Sequence, residues 1–329
     1  MRIGILGTGT WGTALARALS NSGNAVSAWS KIPEEIEQLK STHTHKNLPG
    51  AVIPEEIFFT TDMKTAVEQA EVIIIAVPSV FVRGTTRELA PHLQKGQIIA
   101  CVAKGLEPGT LFTMSEIIES EIGKENSVVA LSGPTHAEEV AVDLPTLIVA
   151  ASKNTDSAKK VQSMFSGTCI RPYTNCDIKG VELCGAVKNV MALACGIAAG
   201  LGYEDNTKAA IMTRGIAEMK RIGEPLGCDP STFSGLAGIG DLIVTATSEH
   251  SRNNRCGKLI GRGVPVDEAI REIGMVVEGI NALPGIVELA RKYQVEMPIV
   301  EAMNEIIVKG KSAGQVAEQI LKRNYRAES

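Results

Sequence analysis

The chain has 329 residues, 44% hydrophobic, 21% charged and 4% aromatic, with 33 Lys and Arg against 37 Asp and Glu for a formal net charge of −4. That length, about two domains' worth, permits a sizeable core without disulfide or metal staples, and the apolar content excludes a disordered chain. Near-balanced charge and scarce aromatics argue against a nucleic-acid or anionic-membrane partner, leaving anionic small molecules to a local patch.

The opening Met1-Arg2-Ile3-Gly4-Ile5-Leu6-Gly7 has neither a charged leader nor an apolar stretch with a cleavage site, so a cytoplasmic location is expected. Cys101, Cys169, Cys176, Cys184, Cys195, Cys228 and Cys256 include no C-x-x-C pair and are expected to be reduced, mostly buried thiols. Val- and Ile-rich runs without in/out alternation predict buried strands at Arg2 to Leu6, Ala25 to Trp29, Val72 to Val77, Ile98 to Val102, Val128 to Leu131 and Leu147 to Ala151. Helical periodicity falls between them, at Thr13 to Ser20, Pro33 to Leu39, Met63 to Gln69, Arg83 to Leu89, Leu111 to Ile122 and Asp156 to Phe165. Such alternation predicts an α/β domain with a doubly wound, mainly parallel sheet.

After about Asp177 only helical segments follow, from Val181 to Leu201 through Thr207 to Leu226, Asp241 to Ala246, Arg255 to Gly261 and Ala282 to Lys292 to Ser312 to Leu321. An all-α C-terminal domain over 180–329 is expected, following a dinucleotide-binding domain over 1–179. The segment Leu183 to Tyr203 has one charge, Lys188, but four glycines and mostly alanine for its apolar content, which suits a helix buried in protein better than a membrane span.

Gly7-Thr8-Gly9-Thr10-Trp11-Gly12 is a G-x-G-x-x-G between the first strand and the first helix, the setting of a Rossmann-type dinucleotide site. Gly7 permits the turn, Gly9 the approach of a pyrophosphate, and Gly12 close helix packing. An acid would be expected at the end of the second strand to hold a ribose 2′-hydroxyl. The chain reads Trp29-Ser30-Lys31 there, a hydroxyl and a cation that suit a 2′-phosphate better than a diol, so NADP(H) is expected to serve at least as well as NAD(H), with a merely solvated Lys31 as the alternative.

Residues that follow strands are candidates for substrate contact: Lys104 in Ala103-Lys104-Gly105, and Ser132-Gly133-Pro134-Thr135-His136-Ala137. Lys188 has Cys184, Gly185, Met191 and Ala192 as helical neighbours, so no carboxylate on its own helix can pair with it. Such an amine is either a partly desolvated proton carrier or a snorkelling structural lysine. Gly238-Ile239-Gly240-Asp241 sets a carboxylate on a glycine turn, and Ser251-Arg252-Asn253-Asn254-Arg255 gathers donors suited to a phosphate or simply forms a solvated loop. His43 and His45 have no acidic or Cys companions, and no metal is expected.

Taken in order, Gly7-Thr8-Gly9-Thr10-Trp11-Gly12, Lys104-Gly105-Leu106-Glu107, Ser132-Gly133-Pro134-Thr135, Gly185-Ala186-Val187-Lys188-Asn189, Thr213-Arg214-Gly215, Gly238-Ile239-Gly240-Asp241, Ser251-Arg252-Asn253 and Val277-Glu278-Gly279 resemble the soluble, bacterial-type NAD(P)-dependent glycerol-3-phosphate dehydrogenases along nearly the whole chain. The resemblance implies reversible hydride transfer between NAD(P)H and dihydroxyacetone phosphate, giving sn-glycerol 3-phosphate, a glycerophospholipid precursor. It implies cofactor contacts at Thr10, Trp11, Lys31, Lys104, Ala137, Arg252, Val276 and Glu278 beside the glycines, and substrate contacts at Lys104, Gly133, Thr135, Lys188, Asp241, Ser251, Arg252 and Asn253. Lys188 would carry the proton and Lys104 would assist. His136 and Asn47 stand where the family commonly has aromatics, and monomer and homodimer both stay open. The alternatives are a related two-domain dehydrogenase for another oxo or hydroxy substrate, and a nucleotide sensor without catalysis. The two lysines with Arg252 favour the enzyme.

Overall fold

In the computed structural model, which describes residues 1–322, the chain divides into two units. The first comprises Met1–Lys104, Phe112–Glu182 and Gly235–Ala237, and the second Gly105–Leu111, Leu183–Ser234 and the chain from Gly238 onward.

The first unit is built on β1 (Arg2–Leu6), β2 (Ala25–Trp29), β3 (Phe58–Thr60), β4 (Val72–Ile75), β5 (Ile98–Cys101), β6 (Val128–Ser132), β7 (Thr146–Ala151) and β8 (Ile170–Asn175). They form one sheet in the order β3-β2-β1-β4-β5-β6-β7-β8, in which only β6 and β7 run antiparallel. Its helices are α1 (Thr10–Asn21), α2 (Pro33–Thr42), α3 (Met63–Val67), α4 (Val82–Leu89), α5 (Met114–Ile122), α6 (Ala137–Val140) and α7 (Thr155–Ser163). In β4, Val72 and Ile74 join one apolar cluster with α1 and α7, while Ile73 and Ile75 join another with α3, α4 and α5. Both faces are covered, which is why the strand runs show no polar alternation.

Two strands escape the sequence reading. β3 is a three-residue edge, and β8 contains Pro172, which an edge strand tolerates because one of its sides needs no N–H. The start of α5 also differs, at Met114 instead of Leu111: Thr113 and Glu116 form a reciprocal capping box, and Leu111 has a left-handed φ of 60°.

The remaining helices are α8 (Ile178–Gly200), α9 (Asp205–Gly223), α10 (Pro230–Phe233), α11 (Asp241–Thr247), α12 (Arg252–Gly261), α13 (Val266–Ile273), α14 (Glu278–Lys292), α15 (Pro298–Ile307) and α16 (Ala313–Leu321). The chain changes unit inside α8, between Glu182 and Leu183. By length and composition α8 could cross a membrane, yet it is almost wholly buried. Its glycines have a packing reason. A Cβ on Gly196 would come within 2.2 Å of the Asn254 carbonyl oxygen, and one on Gly257 within 2.3 Å of that of Leu193. Helices α8 and α12 therefore meet backbone to backbone.

Burial also governs the acids and thiols. Cys101 and Cys195 are pushed up to about 12 by burial, which makes them unreactive thiols. The Glu182 carboxylate accepts from the Ser115 backbone N–H at 2.7 Å and from its hydroxyl at 2.6 Å, yet burial outweighs these bonds and pushes its carboxyl up to about 7 from an ordinary 4.5. The folded chain thus keeps a proton that the unfolded chain releases, so stability falls as pH rises from about 4.5 to about 7 and is level above. The drop is on the order of 3 kcal/mol. Glu182→Gln removes this dependence, and urea denaturation of both proteins across that window should show their stabilities diverging as pH rises.

Candidate active site

The glycine loop follows β1 at the point where the strand order reverses, between β1 and β4, the crevice in which open α/β sheets hold ligands. Gly7 has φ 117°, and a Cβ there would lie 2.7 Å from the Ala76 carbonyl oxygen; one on Gly12 would lie 2.0 Å from that of Gly7. A Cβ on Gly9 would meet nothing within 4 Å. The loop is therefore closed toward the sheet and open on the side from which a ligand would approach. Gly9 is also the N-cap of α1, which has no side-chain cap and no acid in its first turn. A pyrophosphate suits these open N–H groups. Asn47 donates to the Thr10 hydroxyl at 3.2 Å, so the residue that departs from the family pattern touches this loop.

At the end of β2 the structure adds an acid that the sequence did not place there. Lys31 is largely solvent-exposed and pairs loosely with Glu88 at 3.7 Å. A carboxylate does stand there, supplied by α2: Glu35 Oε2 accepts from the buried Ser30 hydroxyl at 2.8 Å and from the Thr8 hydroxyl of the glycine loop at 3.1 Å. The strand itself lacks an acid, and only the fold of α2 back over the strand end brings one in.

Beyond β5, Lys104 donates to the Gly133 carbonyl at 3.1 Å and to the Thr135 hydroxyl at 3.3 Å, so two segments separated in sequence become one cluster. Gly133 has φ 137°, a conformation that favours glycine. Trp11, Lys104 and Thr135 line a small cavity with Ser132, whose buried hydroxyl has no hydrogen-bond partner. Ala137 is buried at the start of α6, and His136 takes that helix's N-cap position.

In the second unit Lys188 is 5% exposed. Its ammonium donates at 2.6 Å to Asp241 Oδ1 and at 2.6 Å to the Thr245 hydroxyl. Its own helix offers no carboxylate, as its neighbours imply, but α11 packs one against it. Asp241 is the first residue of α11, continuing directly from a helical turn over Leu236–Gly240. Thr245, four residues on, shares that face, and its hydroxyl also donates to the Asp241 carbonyl at 2.6 Å. The turn before α11 is tight, since a Cβ on Gly238 would stand 2.0 Å from the Phe233 carbonyl oxygen.

The donor-rich segment is the start of a helix. Ser251 is the N-cap of α12, accepting from the Asn254 N–H at 3.2 Å, so the helix begins three residues earlier than expected. Asn253 is likewise engaged: it donates to Asn189 Oδ1 at 3.0 Å and accepts from the Gly279 N–H at 2.9 Å, tying α12 to α8 and α14. Arg252 reaches the Val276 carbonyl at 3.0 Å, next to Glu278 in the first turn of α14. Ser251 and Asn253 thus shape the segment with their side chains, while Arg252 carries its charge.

Residues 2–158 match the family model described as NAD-dependent glycerol-3-phosphate dehydrogenase N-terminus, and 177–318 its C-terminus. The chain belongs to that family. It is 53% identical to glycerol-3-phosphate dehydrogenase [NAD(P)+] 2 of Lactobacillus delbrueckii subsp. bulgaricus over 99% of this chain and 98% of the relative. It is 45% identical to glycerol-3-phosphate dehydrogenase [NAD(P)+] of Bacillus subtilis over 98% and 94%. The crystal structure of glycerol-3-phosphate dehydrogenase from Coxiella burnetii matches with a TM-score of 0.94 at 36% identity, covering 98% of this chain and 99% of that one.

Two residues of this member of the glycerol-3-phosphate dehydrogenase family, Thr245 and Glu35, were not singled out by sequence reasoning. Thr245 could have been found from its i, i+4 spacing to Asp241 on one helix face. Glu35 had no local signal, because its bond to the Thr8 hydroxyl depends on a contact distant in sequence. The Lys188–Asp241 pair also changes what a substitution should do. Lys188→Met removes the cation from a buried carboxylate and should cost about 3–5 kcal/mol. Adding Asp241→Asn should recover most of that loss, a coupling that denaturation of the two single variants and the double variant measures.

Proposed function

We propose that this chain reversibly reduces dihydroxyacetone phosphate to sn-glycerol 3-phosphate. The observation that carries the reading is the buried Lys188–Asp241–Thr245 cluster, an ammonium held by a carboxylate and a hydroxyl in a member of this family. NAD(P)H, when bound at the glycine loop, supplies the hydride that reaches C2 of the ketone. Lys188 Nζ then gives a proton to the oxygen that the hydride leaves negative, so ketone, hydride and proton together make the alcohol. In the reverse direction the same amine takes the proton back. Lys104, held by Gly133 and Thr135, belongs to this reading as a substrate contact that adds positive charge. Arg252 binds the phosphate with charge-assisted hydrogen bonds, supported by the first turn of α12. Val276 and Glu278 belong to the cofactor side of this reading, with Thr10, Trp11 and Ala137. A cytoplasmic location belongs to it as well.

Lys188→Arg tests the proton step, because a guanidinium keeps the pairing with Asp241 but is too weak an acid to give up its proton. Its kcat should fall by roughly 10²- to 10⁴-fold with the thermal midpoint and dinucleotide binding retained, as followed by NAD(P)H oxidation and fluorescence titration. Turnover within about threefold of wild type would transfer the role to Lys104. For the anion clamp, Arg252→Ala should cost more kcat/KM with dihydroxyacetone phosphate than with unphosphorylated dihydroxyacetone. An equal loss on both would remove Arg252 from the phosphate.

A further inference from the structure

The place where the sequence offers a cation and the structure offers an anion decides a question of selectivity. Dinucleotide sites of this build distinguish NAD from NADP at the end of the second strand, where a carboxylate accepts from the ribose 2′-hydroxyl and repels a 2′-phosphate. The acid ordinarily lies about 20 residues beyond the loop, and Glu35 falls in that interval through α2.

We infer that Glu35 is the cofactor-specificity residue of this chain, a hydrogen-bond acceptor for the adenosine ribose that makes NADH the preferred reductant over NADPH. The inference rests on the reading of the glycine loop as the cofactor site. Its geometry is specific: Glu35 Oε2 bridges Ser30, immediately after β2, and Thr8, inside the glycine loop. Both hydroxyls converge on that one oxygen, leaving Oε1 outside the pair as an acceptor for a diol. Glu35 is half-buried, so its charge is less screened than one on the open surface.

The cations nearby do not reverse this sign. Lys31 has 79% of its side chain exposed and already faces Glu88, so its attraction for a phosphate is screened and partly offset. Burial holds the His45 imidazole below its ordinary value, with the Glu35 charge opposing only in part. Near pH 7 that ring is neutral and leaves Glu35 uncompensated. A 2′-phosphate brought to Ser30 and Thr8 would meet a carboxylate already hydrogen-bonded to both.

Binding without turnover tests the inference. Trp11 and Trp29, the two tryptophans of the chain, flank the glycine loop and the end of β2, so their fluorescence reports titration with NADH, NADPH, ADP-ribose and 2′-phospho-ADP-ribose. Wild type should bind NADH and ADP-ribose at least about tenfold more tightly than the 2′-phosphorylated forms. Glu35→Gln keeps size and hydrogen bonding while removing charge, and should narrow the ratio to within about threefold, chiefly by tightening the phosphorylated ligands. Lys31→Ala should move the ratio less. Tight binding of all four ligands by wild type without discrimination, or a ratio unchanged by Glu35→Gln, would overturn the assignment and leave the glycine loop as the cofactor site. Absence of binding by all four would overturn both readings together.

Discussion

An ammonium removed from water has to be met by a carboxylate, and the second unit is organised around satisfying that requirement at Lys188. Leaving such a charge unpaired would cost several kcal/mol, a large part of a domain's net stability. The lysine arrives on α8 and its partners on α11, Lys188 and Asp241 standing 53 positions apart in sequence. Bringing these elements together needs a tight turn at Gly238 and a close crossing of α8 and α12 through Gly196 and Gly257. The pair also sets up its chemistry: a buried cation fixed by a carboxylate and a hydroxyl has its proton-bearing atom in a defined position.

Glycine does the same mechanical work in the first unit. Gly12 lets α1 pack onto the loop it follows, and Gly7 lets that loop pass the Ala76 carbonyl. Gly9 has a different role, since nothing in the protein crowds it; what its missing side chain leaves open is the route to the N–H groups of α1. Two glycines of one motif thus serve packing and the third leaves the helix N-terminus uncovered.

Carboxylates form the complementary theme. Glu182 is held by Ser115, and Glu218 accepts from the Ile299 and Val300 N–H groups to cap α15. Glu35 gathers the hydroxyls of Ser30 and Thr8. Each takes a donor from a segment distant in sequence, Glu35 from Thr8. The first two satisfy groups inside the fold, while the third reaches a hydroxyl of the glycine loop.

The glycine loop, the buried parallel strands and the residue types of the site were legible in the sequence, because each depends on local spacing: glycines around a strand-to-helix turn, unbroken Val and Ile runs, a lysine on an otherwise apolar helix. The partners were not. Asp241 and Thr245 beside Lys188, Thr135 beside Lys104 and Glu35 beside Thr8 are contacts between elements separated along the chain, and their existence depends on packing that no local pattern encodes. The same limit explains β8, whose proline reads as a break until its place at the sheet edge is known, and Ser251, which reads as a loop donor until the helix it caps is seen. The sequence by itself determined which chemical groups are present and which backbone turns are possible; the tertiary structure alone decided which charges meet, because Coulomb and hydrogen-bond energies depend on distances in space.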